Sequence, residues 1–283
     1  MQKNRYVVLV LAVLMMSLTV FAEDNVIHAE PDQPGIGTGP HVLDRGFIQW
    51  ETGVEIGHLP GMHVLTLPSS LFRFGLSPWA ELRLEYNGSL LLDDQPLNDS
   101  MPDAIYEPSP LWIGSKIKLW GGSDEPRLRW IPRTSLLLNL GLPLTKIMAD
   151  NIPVSGKIDL LFENDLCDWL TMGYDVGVYW LEWAPVPDIF AALNFNFEIN
   201  EQWSVYVESY NQFDPDAMDM NNLGKTYTMC DINLDFGFTY APHPRAELDA
   251  YAGFNLYHSE SEFSTPRNNS YVGLGVTWLI HAQ

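Results

Sequence analysis

Basic residues are scarce in this chain: 15 Lys and Arg stand against 36 Asp and Glu over 283 residues, a net charge of −21. A body that acidic repels a phosphate backbone, which argues against nucleic acid as a partner. Cysteine is scarcer. Cys167 and Cys230 are too few for a disulfide scaffold and lack the CxxC spacing of a zinc site. Long apolar runs are missing beyond the first 22 residues, so no helical membrane span is expected after them. The chain also has no HExxH pair and no GxSxG elbow, and its seven histidines (His28, His41, His58, His63, His243, His258 and His281) are scattered. His58 and His63 with Ser69 or Ser70 are the one loose catalytic combination, of a kind that chance supplies in a chain this long. No enzyme, cofactor or metal is expected. Asp214 to Asn222 has oxygen ligands but lacks the central Gly and final Glu of a calcium loop, and it reads as a solvated loop.

What is present begins with a leader. Lys3 and Arg5 precede an apolar run from Tyr6 to Val20, and Val20-Phe21-Ala22 offers a cleavage site. At about 15 residues the run is short for the ~20 of a spanning helix. Residues 1–22 therefore read as a secretory signal cleaved near Ala22. Residues 23–45 read as an irregular Pro/Gly-rich segment, expected either as a free tail or as a plug of the lumen. Residues 46–283 read as the barrel described next.

From Gly46 onward the chain alternates. Ile48, Trp50, Val54 and Ile56 share one face, with Gln49, Glu51 and Glu55 on the other; Leu82, Leu84 and Tyr86 oppose Glu81, Arg83 and Glu85. Period-two alternation marks strands with one apolar and one polar face. It returns at 111–120, 127–140, 170–181, 189–199, 203–212, 228–240, 246–257 and 271–280, and more weakly at 62–74 and 157–162. Several of these runs reach the 9–11 residues that a tilted strand needs to cross a bilayer. Connections after even strands are short, and those after odd strands are mostly long and polar. The expectation is a twelve-stranded antiparallel transmembrane β-barrel with short periplasmic turns and longer extracellular loops. Trp79, Trp169 and Trp203 open strands after short turns, while Trp120 and Tyr240 close strands before them. Together they predict an aromatic girdle at one rim.

Three stretches carry a resemblance: Pro31-Asp-Gln-Pro-Gly-Ile-Gly-Thr-Gly-Pro40, Gly46-Phe-Ile-Gln-Trp-Glu-Thr-Gly53 and the run from Leu67 to Leu84. They resemble the start of the MetA-pathway phenol-degradation family of outer-membrane transporters. That resemblance implies a barrel in the outer membrane of a Gram-negative cell and passage of aromatic or other small hydrophobic compounds.

If the apolar face meets lipid, the polar face lines the lumen. Parity then points Arg73, Arg83, Lys116, Lys118, Arg129 and Arg133 inward as a basic wall. It points Glu208, Asp231, Asp235 and Asp249 inward on the opposite side, with Glu51 and Glu55 as further acidic lining. Two outcomes stand open: a narrow passage crossed by a field between these walls, or a salt-bridged interior that holds the barrel's shape. The functional expectation is passive movement of small solutes by a monomer in outer-membrane lipid, the solute being unknown. The alternatives are a non-transporting surface barrel that binds a ligand or partner through its loops and, last, an outer-membrane hydrolase.

Overall fold

The computed structural model describes residues 28–32, 37–59, 61–93, 104–121, 130–143, 154–180, 186–218, 226–259 and 269–281. The leader with its cleavage site near Ala22, as well as Arg129, lies outside these residues. Thirteen strands form one antiparallel sheet: β1 (Phe47–Leu59), β2 (Met62–Ser77), β3 (Ala80–Asp93), β4 (Ala104–Pro108), β5 (Leu111–Trp120), β6 (Arg133–Leu142), β7 (Ser155–Cys167), β8 (Leu170–Trp180), β9 (Asp188–Asn200), β10 (Trp203–Met218), β11 (Thr226–His243), β12 (Ala246–His258) and β13 (Ser270–His281). Each barrel strand pairs with its neighbours in sequence. The first strand, β1, also pairs with the last, β13, from Phe47↔His281 to His58↔Ser270, which closes the sheet on itself. Closure pairs the first and last strands with each other.

Twelve strands make the wall, as the alternation implies, and β4 continues the line of β5 along the same edge of β3. This short strand pairs only with the upper part of β3, from Gly88↔Pro108 to Leu92↔Ala104, while β5 takes the lower part, Ala80↔Ile117 to Glu85↔Trp112. Five residues that end in Pro carry too little alternation to be read as a strand, so the sequence suggests only a loop there. The 127–140 run opens as a strand at Arg133, directly after Pro132, which has no backbone N–H to give a ladder.

The pattern of burial is inverted relative to a soluble protein. On β1, Gln49 and Glu51 are 0% and 1% exposed while Trp50 and Ile56 are 41% and 51% exposed. Arg73, Glu81, Lys116, Asp159 and Glu208 are buried inside, whereas Phe72, Leu138, Val176, Phe236 and Leu274 face out. An antiparallel sheet that exposes its apolar face is stable only when something other than water covers that face. At one rim, hairpins turn through residues 78–79, 168–169, 201–202 and 244–245. This end is called the turn rim below, and the opposite end the loop rim. Trp79, Trp120, Trp169 and Trp203 are exposed at the turn rim, and Trp203 stacks on Tyr240 with ring centroids 4.4 Å apart.

Candidate functional site

Alternation delivers Arg73 of β2, Glu81 and Arg83 of β3, and Lys116 of β5 to the interior at one height. The registers Arg73↔Arg83 and Glu81↔Lys116 bring them together. Three cations gathered in a buried space need counter-charges, and the chain provides them locally. Arg73 donates from Nε and Nη2 to the two oxygens of Glu81, both at 2.9 Å. Its remaining N–H groups reach Glu51 Oε1 at 3.3 Å and the backbone carbonyls of Glu30 at 2.6 Å and His41 at 2.9 Å. All five donors of the guanidinium are thus engaged. A buried ion recovers its desolvation cost only with this kind of completeness.

The segment before β1 supplies the rest. Asp32 sits among Arg73, Arg83 and Lys116; Lys116 Nζ donates to its carboxylate at 2.7 and 3.0 Å, and Arg83 is in direct contact. Burial alone would raise the Asp32 carboxyl, but the three cations hold it well below the usual carboxylate range. Farther along, the segment's backbone is read by both sides of the lumen. The Gly37 N–H donates to Glu208 and the Thr38 N–H to Asp175 Oδ2 at 3.0 Å. The carbonyls of Gly39 and Pro40 accept from Lys116 Nζ at 2.7 Å and Ser135 Oγ at 2.5 Å. Donors therefore point at acids, and the acceptors at Lys116 and a hydroxyl. Gly37 is required by closeness: a Cβ there would lie 2.7 Å from Glu208 Oε2 and 3.3 Å from Ala192 Cβ.

His41 anchors the turn-rim end of the segment. Its Nε2 lies 2.8 Å from Glu163 Oε1 and its Nδ1 3.1 Å from Glu30 Oε2. Burial pushes the imidazole down, but hydrogen bonds to Glu163 and Glu30 outweigh it and raise the pKa to about 9. Arg133 shares Glu163 and also holds Asp165. Lys118 is exposed and lines a cavity of about 390 Å³ at this end, together with His28, His41 and Arg133. Beyond the segment, toward the loop rim, a second cavity of about 360 Å³ is lined by Thr38, Arg83, Trp112, Lys157, Phe190 and Tyr210 among others.

The other acidic positions lie on the remaining strands. Asp231 contacts His258, Asp235 accepts from the Tyr271 hydroxyl at 3.2 Å, and Glu55 accepts from the Tyr251 hydroxyl at 3.1 Å. Asp249 is buried beside Gly275. Glu51 is the exception to an all-acidic lining: its place beside Arg73 puts it in the basic cluster. Three contributors were invisible as such in the alternation. Asp32 belongs to no strand, Asp175 stands alone among apolar residues and Gly, and His41 is an isolated histidine near a turn. The only hint in the sequence was the small-residue character of 30–41, which permits close backbone approach.

The loose catalytic combination does not assemble. His58 and His63 face each other across a hairpin with ring centroids 4.9 Å apart. Ser69 and Ser70 lie six or seven residues down β2, roughly 20 Å away at ~3.3 Å per residue. Cys167 and Cys230 are both free, and among the described residues no group of three or more His, Cys, Asp or Glu is placed to hold a metal ion.

No family model and no curated protein matches the sequence. Solved structures do match the fold. An outer membrane channel from Pseudomonas putida F1 superposes with a TM-score of 0.63 at 9% identity, covering 88% of this chain and 99% of that one. The NanC porin superposes with a TM-score of 0.51 at 8% identity, covering 80% and 98%. Likeness at such identities is a likeness of architecture, and by it this chain has the fold of an outer-membrane β-barrel.

Proposed function

We propose that this chain is a monomeric outer-membrane channel of a Gram-negative cell for the passive passage of small solutes. One observation carries the reading: a closed barrel turns its aliphatic and aromatic residues outward and its charges inward, which suits acyl chains outside and water inside. The turn rim, with the aromatic girdle and the segment before β1, is the periplasmic end. The likeness of residues 31–84 to the MetA-pathway phenol-degradation family extends the proposal to aromatic or other small hydrophobic compounds. No cofactor, energy coupling or catalytic step is needed.

Residues 28–32 and 37–46 act in this proposal as a constriction between the loop-rim cavity and the space toward the turn rim. The full use of the Arg73 donors favours a second reading, in which the ionic cluster closes the barrel for good and the loops do the binding. Planar-bilayer recording of the signal-free protein separates the two. A channel gives steps of current, larger after deletion of residues 31–41. A permanently closed barrel gives none with the segment intact.

A further inference from the structure

We propose that the wall built from β10 to β13, with Glu55 of β1, binds organic cations, meaning ammonium or guanidinium groups, on their way through. This rests on the channel reading. Among the described residues, the inward positions of these four strands carry no Lys or Arg. They carry carboxylates and tyrosines in alternation, among them Glu208 and Tyr210 on β10 and Asp249 and Tyr251 on β12.

The tyrosines lean over glycines. A Cβ at Gly253 would fall 2.2 Å from Tyr271 Cζ, one at Gly273 2.2 Å from Tyr251 Cζ, and one at Gly237 2.6 Å from Tyr206 Cε1. Each ring tip occupies the space that a side chain would fill, and the Tyr251 and Tyr271 rings meet edge to face at 65° with centroids 6.2 Å apart. The hydroxyls of Tyr271 and Tyr251 donate to Asp235 and Glu55, which fixes the rings beside the carboxylates.

A second observation is independent of the acidic clustering. Among the described residues, Asp235 Oδ1, Asp249 Oδ1 and the Tyr206 hydroxyl are buried with no hydrogen-bond partner. Asp235 is 1% and Asp249 5% exposed. Buried carboxylate oxygens without a donor call for a cation. Ring faces next to carboxylates are the combination that recognises one with organic substituents, by cation–π attraction and direct pairing.

Position makes the wall a route as well as a site. Tyr210 and Gln212 line the loop-rim cavity, while Ser204, Tyr206 and Glu208 of the same strand, with Glu247, line a cavity of about 190 Å³ on the other side of the segment. The cations of the facing wall, Arg73, Arg83 and Lys116, are occupied by Asp32, Glu51, Glu81 and backbone carbonyls. Lys157, which also lines the loop-rim cavity, is paired with Asp159 at 2.9 Å.

The test uses the whole signal-free protein in planar bilayers, first under a potassium chloride gradient and then with tetraethylammonium added. We expect a reversal potential of the sign that favours potassium and a tetraethylammonium block. The block should weaken about fivefold in Asp235→Asn/Asp249→Asn. Chloride preference in the wild type, or a block unchanged in a double variant that keeps heat-modifiable gel migration, overturns the proposal. If that variant does not fold, the wild-type reversal potential and block decide alone. Absence of any current would instead overturn the channel reading beneath it.

Discussion

Glu208 receives the backbone N–H of Gly37 on both carboxylate oxygens, at 3.0 and 3.1 Å, although the two residues are 171 positions apart. The contact joins a strand of the far wall to a segment whose other groups are held by Lys116 and Arg73. It ties the two sides of the lumen together through one stretch of backbone.

Gly37→Val follows from that closeness. The added carbons would strike Glu208 and Ala192, so the segment must leave its place while the sheet keeps its register. We expect larger single-channel conductance with unchanged heat-modifiable migration. Unaltered conductance would mean that the segment does not set the passage.

His41 gives the segment a pH dependence. Its ordinary value is 6.5 and the folded environment raises it to about 9. Anchoring by the charged imidazole is therefore complete below about pH 6.5 and is lost as pH rises through about 9. Amide exchange at Gly37 and Thr38 should speed up over that window beyond the intrinsic base-catalysed increase. In His41→Gln the excess should vanish.

Arg73→Met removes five donors at once and leaves Glu81, Glu51 and part of the Asp32 environment uncompensated. The expected loss is about 3–5 kcal/mol in folding stability, read from urea unfolding in lipid vesicles. Arg73→Lys should recover only part of it, because an ammonium cannot make the paired contact with Glu81.

Leu274→Arg and Ile280→Arg test what covers the outer face. Leu274 is 60% exposed in the middle of β13, and Ile280 is 45% exposed beside the turn rim. In a bilayer the first should cost about 2–4 kcal/mol and the second ~0–1 kcal/mol. Equal, near-zero costs would place the outer face in water.

The barrel was legible because its signal is local. Trp50 against Glu51, or Leu84 against Arg83, already states which face is which, and twelve such runs fix the wall and its closure. Parity also sent Arg73, Arg83 and Lys116 inward. It could not say that Glu51 would help to neutralise them, since that depends on strand register: Gln49↔Arg73 and Glu51↔Leu71 are matches between strands. Asp32 and His41 were beyond reach for another reason. They lie in a segment with no periodicity, and their roles come from partners contributed by three or more strands. The tyrosines over glycines are of the same kind, because Gly253 and Tyr271 meet only across a ladder.

The pairing of β1 with β13 carries a consequence for assembly. The first strand stays half-paired until the last has been made, so the cylinder is sealed by its two chain ends. The described residues just ahead of β1 lie in the bore that it encloses. Their contacts with β2, β3 and β5 are available early, from neighbours in the chain. Those with Asp175 and Glu208 become available only once the hoop has come round. Sealing the hoop thus completes a hold on the segment that its nearest strands begin.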